Sequence, residues 1–166
     1  MTRIPTLLAL VAGLLAATAV QATSVDIRWN EADAYTDLSD NGATTEKTLP
    51  VFQKELTAFL ERQAADRLPP GYTLALHIQD VDMAGEREPW RSVNNPDIRY
   101  LRDIYPPSLV FAYAIRDAEG RVVRSGEAKA LDLNYRFGPH ILANSTLFYY
   151  EKEVMRVWIR KNLNLG

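Results

Sequence analysis

The segment "SLVFAYAIRDAEGRVVRSGEAKALDL" limits the possible folds more than any other part of the chain. Leu109, Phe111, Tyr113 and Ile115 recur at every second position, the period that sends side chains to one face of a strand. "DAEG" then offers a turn, and Val122 to Leu131 reads as the returning strand. An antiparallel pair with one apolar face needs a covering layer. The remaining segments must supply it.

Two of them carry the helical period. From Thr48 onward Leu49, Phe52, Leu56, Phe59, Leu60 and Ala64 form one stripe. Thr48 is the expected N-cap and Pro50 falls in the first turn. Pro69, Pro70 and Gly71 end this helix. Near the C-terminus Leu147, Tyr150, Val154, Val157 and Trp158 form a second stripe, with Asn144 or Ser145 as the expected cap. Both stripes read as core rather than as binding grooves.

"SVDIRW" and "YTLALHIQDV" alternate as strands, the second placing Leu74, Leu76 and Ile78 on one face. "DIRYLRDI" reads as a short edge strand. "NEADAYTDLSDNGATTEK" and "NYRFGPHILANS" are rich in turn formers and read as surface loops. The expected fold is α+β: an antiparallel or mixed sheet of about four to five strands with two helices packed on one face.

The N-terminus, "MTRIPTLLALVAGLLAATAVQA", runs from Arg3 through an apolar stretch to small residues at the exit, the pattern of a cleaved signal peptide. Cleavage is expected after Ala22, leaving residues 23–166 as one domain without a membrane span. The chain has no cysteine. That excludes a disulfide framework, a thiol nucleophile, a cysteine zinc site and a lipidated N-terminus. The mature protein is therefore expected to be exported and not tethered to lipid. A formal net charge of −2 with scattered Lys and Arg offers no footprint for nucleic acid.

"QDVDMAGEREPW" is the one concentration of potential chemistry. If the pleat of Leu74, Leu76 and Ile78 continues, Asp80 and Asp82 face the core and need partners. If a bulge shifts the register near Gln79, Val81 and Met83 are buried instead and both aspartates turn outward. Strands 73–81 and 122–131, both antiparallel to 109–115, would end at the same edge of the sheet. That brings "LDLNYR", with Asp132, Asn134, Tyr135 and Arg136, beside the aspartates, and Arg99 and Arg102 within reach. Glu86 and Glu88 read as loop surface, and Trp90 as a loop anchor on the core.

Three readings of this cluster stay open. Carboxylates and arginines could bond loop backbone and one another, holding the long loops in place. A calcium site would use the clustered oxygens, although the spacing lacks the EF-hand signature. A hydrolase would use a carboxylate pair as acid and base, with Trp90 and Tyr135 stacking on a sugar.

Elsewhere His77 lies opposite Leu76 on a strand and His140 in a loop, neither with a metal-ligand neighbour. Ser125 lacks the Gly-x-Ser-x-Gly elbow, and no Gly-rich phosphate loop precedes a helix. No metal and no cofactor is expected. Glu151 and Lys152 read as a solvated helix face, although Glu151 borders the Tyr150 stripe and could reach the sheet.

"LPPGYTLALHIQDVDMAGEREPW", "IRYLRDIYPPSLVFAYAIRD", "SGEAKALDLNY" and "YEKEVMRVW", in this order behind an exported N-terminus, resemble the proteobacterial secreted family known as domain of unknown function 3016. The resemblance implies a Gram-negative, periplasmic or exported protein and no known activity. The reading that follows is a non-catalytic periplasmic domain that binds an envelope protein or a small ligand. Its competitor is an envelope hydrolase.

Overall fold

A computed structural model describes residues 22–163 except 41, 92, 93, 95 and 138–145. The expected signal peptide up to residue 21, His140, and the proposed caps Asn144 and Ser145 lie outside the described residues. In chain order the elements are β1 (Ser24–Trp29), α1 (Thr45–Ala65), β2 (Thr73–Asp82), β3 (Glu86–Arg87), β4 (Arg99–Tyr100), β5 (Ser108–Arg116), β6 (Val122–Leu131) and α2 (Tyr149–Asn162).

Four strands form a mixed sheet in the order β1-β2-β5-β6. β1 runs parallel to β2, from Ser24 opposite Thr73 to Trp29 opposite Ile78. β5 is antiparallel to both β2 and β6. Leu74, Leu76, Ile78, Leu109, Phe111 and Ile115 are buried in one cluster with Phe52, Leu56 and Leu60 of α1 and Met155 and Ile159 of α2. Period-two strands and period-3.6 helices thus meet on a single face of the sheet, as the α+β reading requires. Trp158 anchors α2 with its ring edge-on to both Phe111 and Tyr113, each centroid 4.9 Å away.

Several local expectations need correction. "DIRYLRDI" is not an edge strand of this sheet. Only Arg99 and Tyr100 pair, and they pair with β3 in a separate two-stranded ribbon. Its alternating apolar residues Ile98 and Ile104 are exposed, so no core holds that register.

The segment before α1 is not only surface loop. Tyr35 and Leu38 are buried, and Asp37 bridges to Asp82 by donating its N–H to Val81 and accepting from Met83. α1 begins at Thr45, with Thr44 as the N-cap. Thr48 is buried in the first turn, where its Oγ1 accepts the N–H of Asp40, and Pro50 lies inside the helix. Thr48 thus ties the preceding loop to the helix instead of capping it.

α2 starts later than its apolar stripe suggests. Leu147 lies outside the helix and is exposed. Phe148 occupies the N-cap position in the left-handed region, φ 54° and ψ 43°, without a side-chain capping bond. Lys152, expected in solvent, is buried, and so is Glu151, for which reach to the sheet is the alternative to a solvated face. Lys152 reaches α1, where its Nζ lies 2.8 Å from Glu55 Oε2.

Candidate functional site

The pleat question has a definite answer. The β2–β5 register shifts between Ile78 and Asp80, and the bulge buries Val81 and Met83. Asp80 and Asp82 consequently leave the core face. Asp80 accepts from the Thr36 N–H at 2.7 Å and from the Thr36 hydroxyl at 2.9 Å. It ties the segment before α1 to the sheet. Asp82 is half-buried; burial, then the nearby Asp37, Asp80 and Glu86, push its carboxyl above the ordinary value, against a smaller pull from Lys129.

The strand exits do lie together: Ser108 pairs with Asp82 on one side and Leu131 on the other. The side chains beyond them nevertheless divide among separate partners. Asp132 accepts the N–H of Asn134 at 2.9 Å. Tyr135 is buried, donates its hydroxyl to the Arg102 carbonyl at 2.9 Å and packs edge-on against Tyr150. Arg136 pairs with Asp103.

Arg102 belongs to another group, built on Glu88. Glu88 is 1% exposed, so it is not loop surface. Its Oε1 accepts from Arg102 at 2.6 Å and from the Tyr105 hydroxyl at 3.1 Å, while Arg91 Nε lies 3.0 Å from Oε2. The hydrogen bond from Arg102 holds this carboxyl below its ordinary range. A cation on each oxygen is what makes burial of this charge tolerable. Glu86 is part of β3 and only half exposed. Trp90, between these anchors, is 71% exposed and does not pack on the core. Glu88 performs the anchoring expected of it.

Arg99 joins neither aspartate of β2. Its guanidinium lies 2.7 Å from Asp37 Oδ2 and donates to the carbonyls of Ser39 at 2.7 Å and Gly85 at 2.6 Å. These bonds lock the segment before α1 to the turn after β2. Gly85 permits the approach: its φ is +79°, and a Cβ there would meet the Tyr100 carbonyl oxygen at 2.8 Å.

Beside this junction lies a cavity of about 290 Å³, walled by Met83 and Ala84, by Arg99 and Leu101, and by Phe148 and Glu151 at the start of α2. Glu151 is 2% exposed, and its Oε1 accepts the Ala84 N–H at 2.9 Å. Burial pushes its carboxyl up, opposed by the Ala84 hydrogen bond and by Arg99. The Nε of Arg99 is buried without a hydrogen-bond partner among the described residues. A carboxyl inclined to keep its proton and a fixed guanidinium thus border one partly apolar space. Such a combination can orient a small polar ligand. Sequence reasoning missed this site because its walls come from three remote segments. The one available signal was Glu151 beside the Tyr150 stripe.

Among the described residues no group of three His, Asp or Glu side chains is placed to hold a metal ion, and no helix is long and apolar enough to cross a membrane. A model of the family described as "Protein of unknown function (DUF3016)" matches residues 23–161. No curated protein matches the chain. Among solved structures, a PelC dodecamer from Paraburkholderia phytofirmans is 11% identical, with 81% of this chain and 86% of that chain covered and a TM-score of 0.33. That likeness is too low to bear on this chain.

Proposed function

The chain belongs to the family of unknown function DUF3016, and from that premise we propose that it is an exported, non-catalytic binding domain of the cell envelope that takes a small ligand in the cavity beside Glu151. The cavity carries this reading, because it sets Glu151 and Arg99 against the apolar walls of Met83, Leu101 and Phe148. Its volume suits a ligand of metabolite size. Export is supported by the Arg3-led apolar leader and its small-residue exit. The non-catalytic half of the reading is supported by Asp80, whose two oxygens are already bonded to Thr36.

Melting curves of the purified chain against a panel of amino acids, sugars, short peptides and short fatty acids test the binding reading. We expect at least one compound to raise Tm, and Leu101→Trp, which adds bulk to the cavity wall, to abolish that rise. A panel without any rise, or a rise that survives Leu101→Trp, would count against the cavity. Intact mass of the chain recovered from a periplasmic fraction tests export, with Thr23 expected as its first residue.

Asp82 is the observation that favours a hydrolase instead, since a half-buried carboxyl with a raised pKa is suited to general-acid work. Turnover of a glycan or peptide that Asp82→Asn abolishes, with folding intact, would establish that reading over ours.

A further inference from the structure

β6 ends the sheet, so among the described residues no strand pairs with its outer flank. The strand is ten residues long. Sheets commonly blunt such an edge with proline, a bulge or a row of lysines. β6 contains no proline, and its one register irregularity lies at the very start, where Arg116 meets Val122. Instead it carries charges of opposite sign two residues apart, Glu127 and Lys129, both exposed. Val123 and Leu131, and Leu133 just beyond the strand, are exposed as well.

We propose that β6 pairs antiparallel with β6 of a second copy of this chain, about a two-fold axis at Ala128, making one continuous sheet across the dimer. Residues directly opposite each other in an antiparallel pair share a face, so the axis must fall on a residue rather than between two. An axis at Ala128 sets Glu127 against Lys129 twice, Ser125 against Leu131, and Val123 against Leu133. Moving it to Glu127 opposes two carboxylates, and moving it to Lys129 opposes two ammonium groups. Placed at Gly126 it leaves both charges facing uncharged residues, Ser125 and Val123. Among these four positions, only the axis at Ala128 pairs every charge, and like charges set directly opposite destabilise a sheet.

Sedimentation of the purified chain over a concentration series reads the equilibrium. We expect a monomer–dimer equilibrium that Glu127→Lys and Lys129→Glu each weaken about tenfold, because either change makes both cross-strand pairs repulsive. An equimolar mixture of the two variants should restore association, since each mixed pair is again of opposite sign. Both side chains are exposed, and unchanged circular-dichroism melting of each variant establishes that folding is intact. Ala128→Cys supplies a second readout: the chain has no other cysteine, and Cα atoms of about 4.5–5.5 Å separation on the axis permit a disulfide. Mild oxidation should give a covalent dimer. A chain that stays monomeric throughout, association that neither reversal weakens, or variants that mixing does not rescue would each overturn the proposal.

Discussion

Glu151, in the first turn of α2, accepts a hydrogen bond from the backbone N–H of Ala84, 67 residues earlier in the chain. This contact joins the last helix to the turn after β2 and forms one wall of the cavity. The ionisation of Glu151 is therefore linked to folding.

Glu151 and Glu88 should respond to pH in opposite directions. The folded chain holds the Glu151 proton above the ordinary value of 4.5, so its stabilising contribution is full below 4.5 and declines as pH rises through the folded-state value. Glu88 is shifted below 4.5, so its contribution is present above 4.5 and is lost as pH falls through its folded-state value. Urea denaturation at a series of pH values should show Glu151→Gln flattening the decline above 4.5 and Glu88→Gln flattening the acid limb. The same slope for both variants would contradict these assignments.

The Arg99–Asp37 pair is mostly shielded from solvent and carries two carbonyl contacts besides. Arg99→Met should cost about 3 kcal/mol, because it strands the Asp37 carboxylate. Combining it with Asp37→Leu should recover part of that loss. A double-mutant cycle in urea measures the coupling, and a cycle that closes additively would show that the pair does not interact.

Gly85 and Gly120 have almost the same φ, +79° and +80°, but unlike surroundings. A methyl group at Gly120 meets nothing within 4 Å, so Gly120→Ala should cost only the left-handed backbone penalty, about 1 kcal/mol. At Gly85 the same group strikes the Tyr100 carbonyl. Gly85→Ala should therefore cost at least twice as much, with equal losses for the two variants arguing against a close approach of β3 and β4.

Asp80→Ala removes both bonds to Thr36 at an exposed site and should destabilise the chain by about 1 kcal/mol. Faster amide exchange should appear at Thr36 and its neighbours. Exchange rates left unchanged there would mean that Asp80 does not hold this segment.

The strands and helices of the main layer were legible because each has a periodic apolar face: Leu109 to Ile115 at period two, Phe52 to Leu60 at helical spacing. The bulge at Gln79 was legible only as an alternative, since Val81 and Met83 suit the core as well as a continued pleat would. The β3–β4 ribbon and the segment before α1 were not legible. They are held by Arg99, Asp37, Asp80 and Glu88 reaching groups in remote segments, as far as from Arg99 to Asp37, and pattern within a segment does not record such contacts. Glu88 misled for the same reason, as a carboxylate among charged neighbours reads as solvated until two arginines close over it.

The sheet's connectivity also bears on the order of assembly. β5 and β6 are joined by a turn of five residues, whereas Ser24 pairs with Thr73 and Leu74 with Ile115 only after the intervening chain has closed on itself. Longer closures cost more entropy. The β5–β6 hairpin is therefore the natural nucleus, with β2 and then β1 recruited onto it. Mutational φ-values are expected to be highest in β5 and β6 and lowest in β1. The opposite gradient would place the nucleus in β1, α1 and β2.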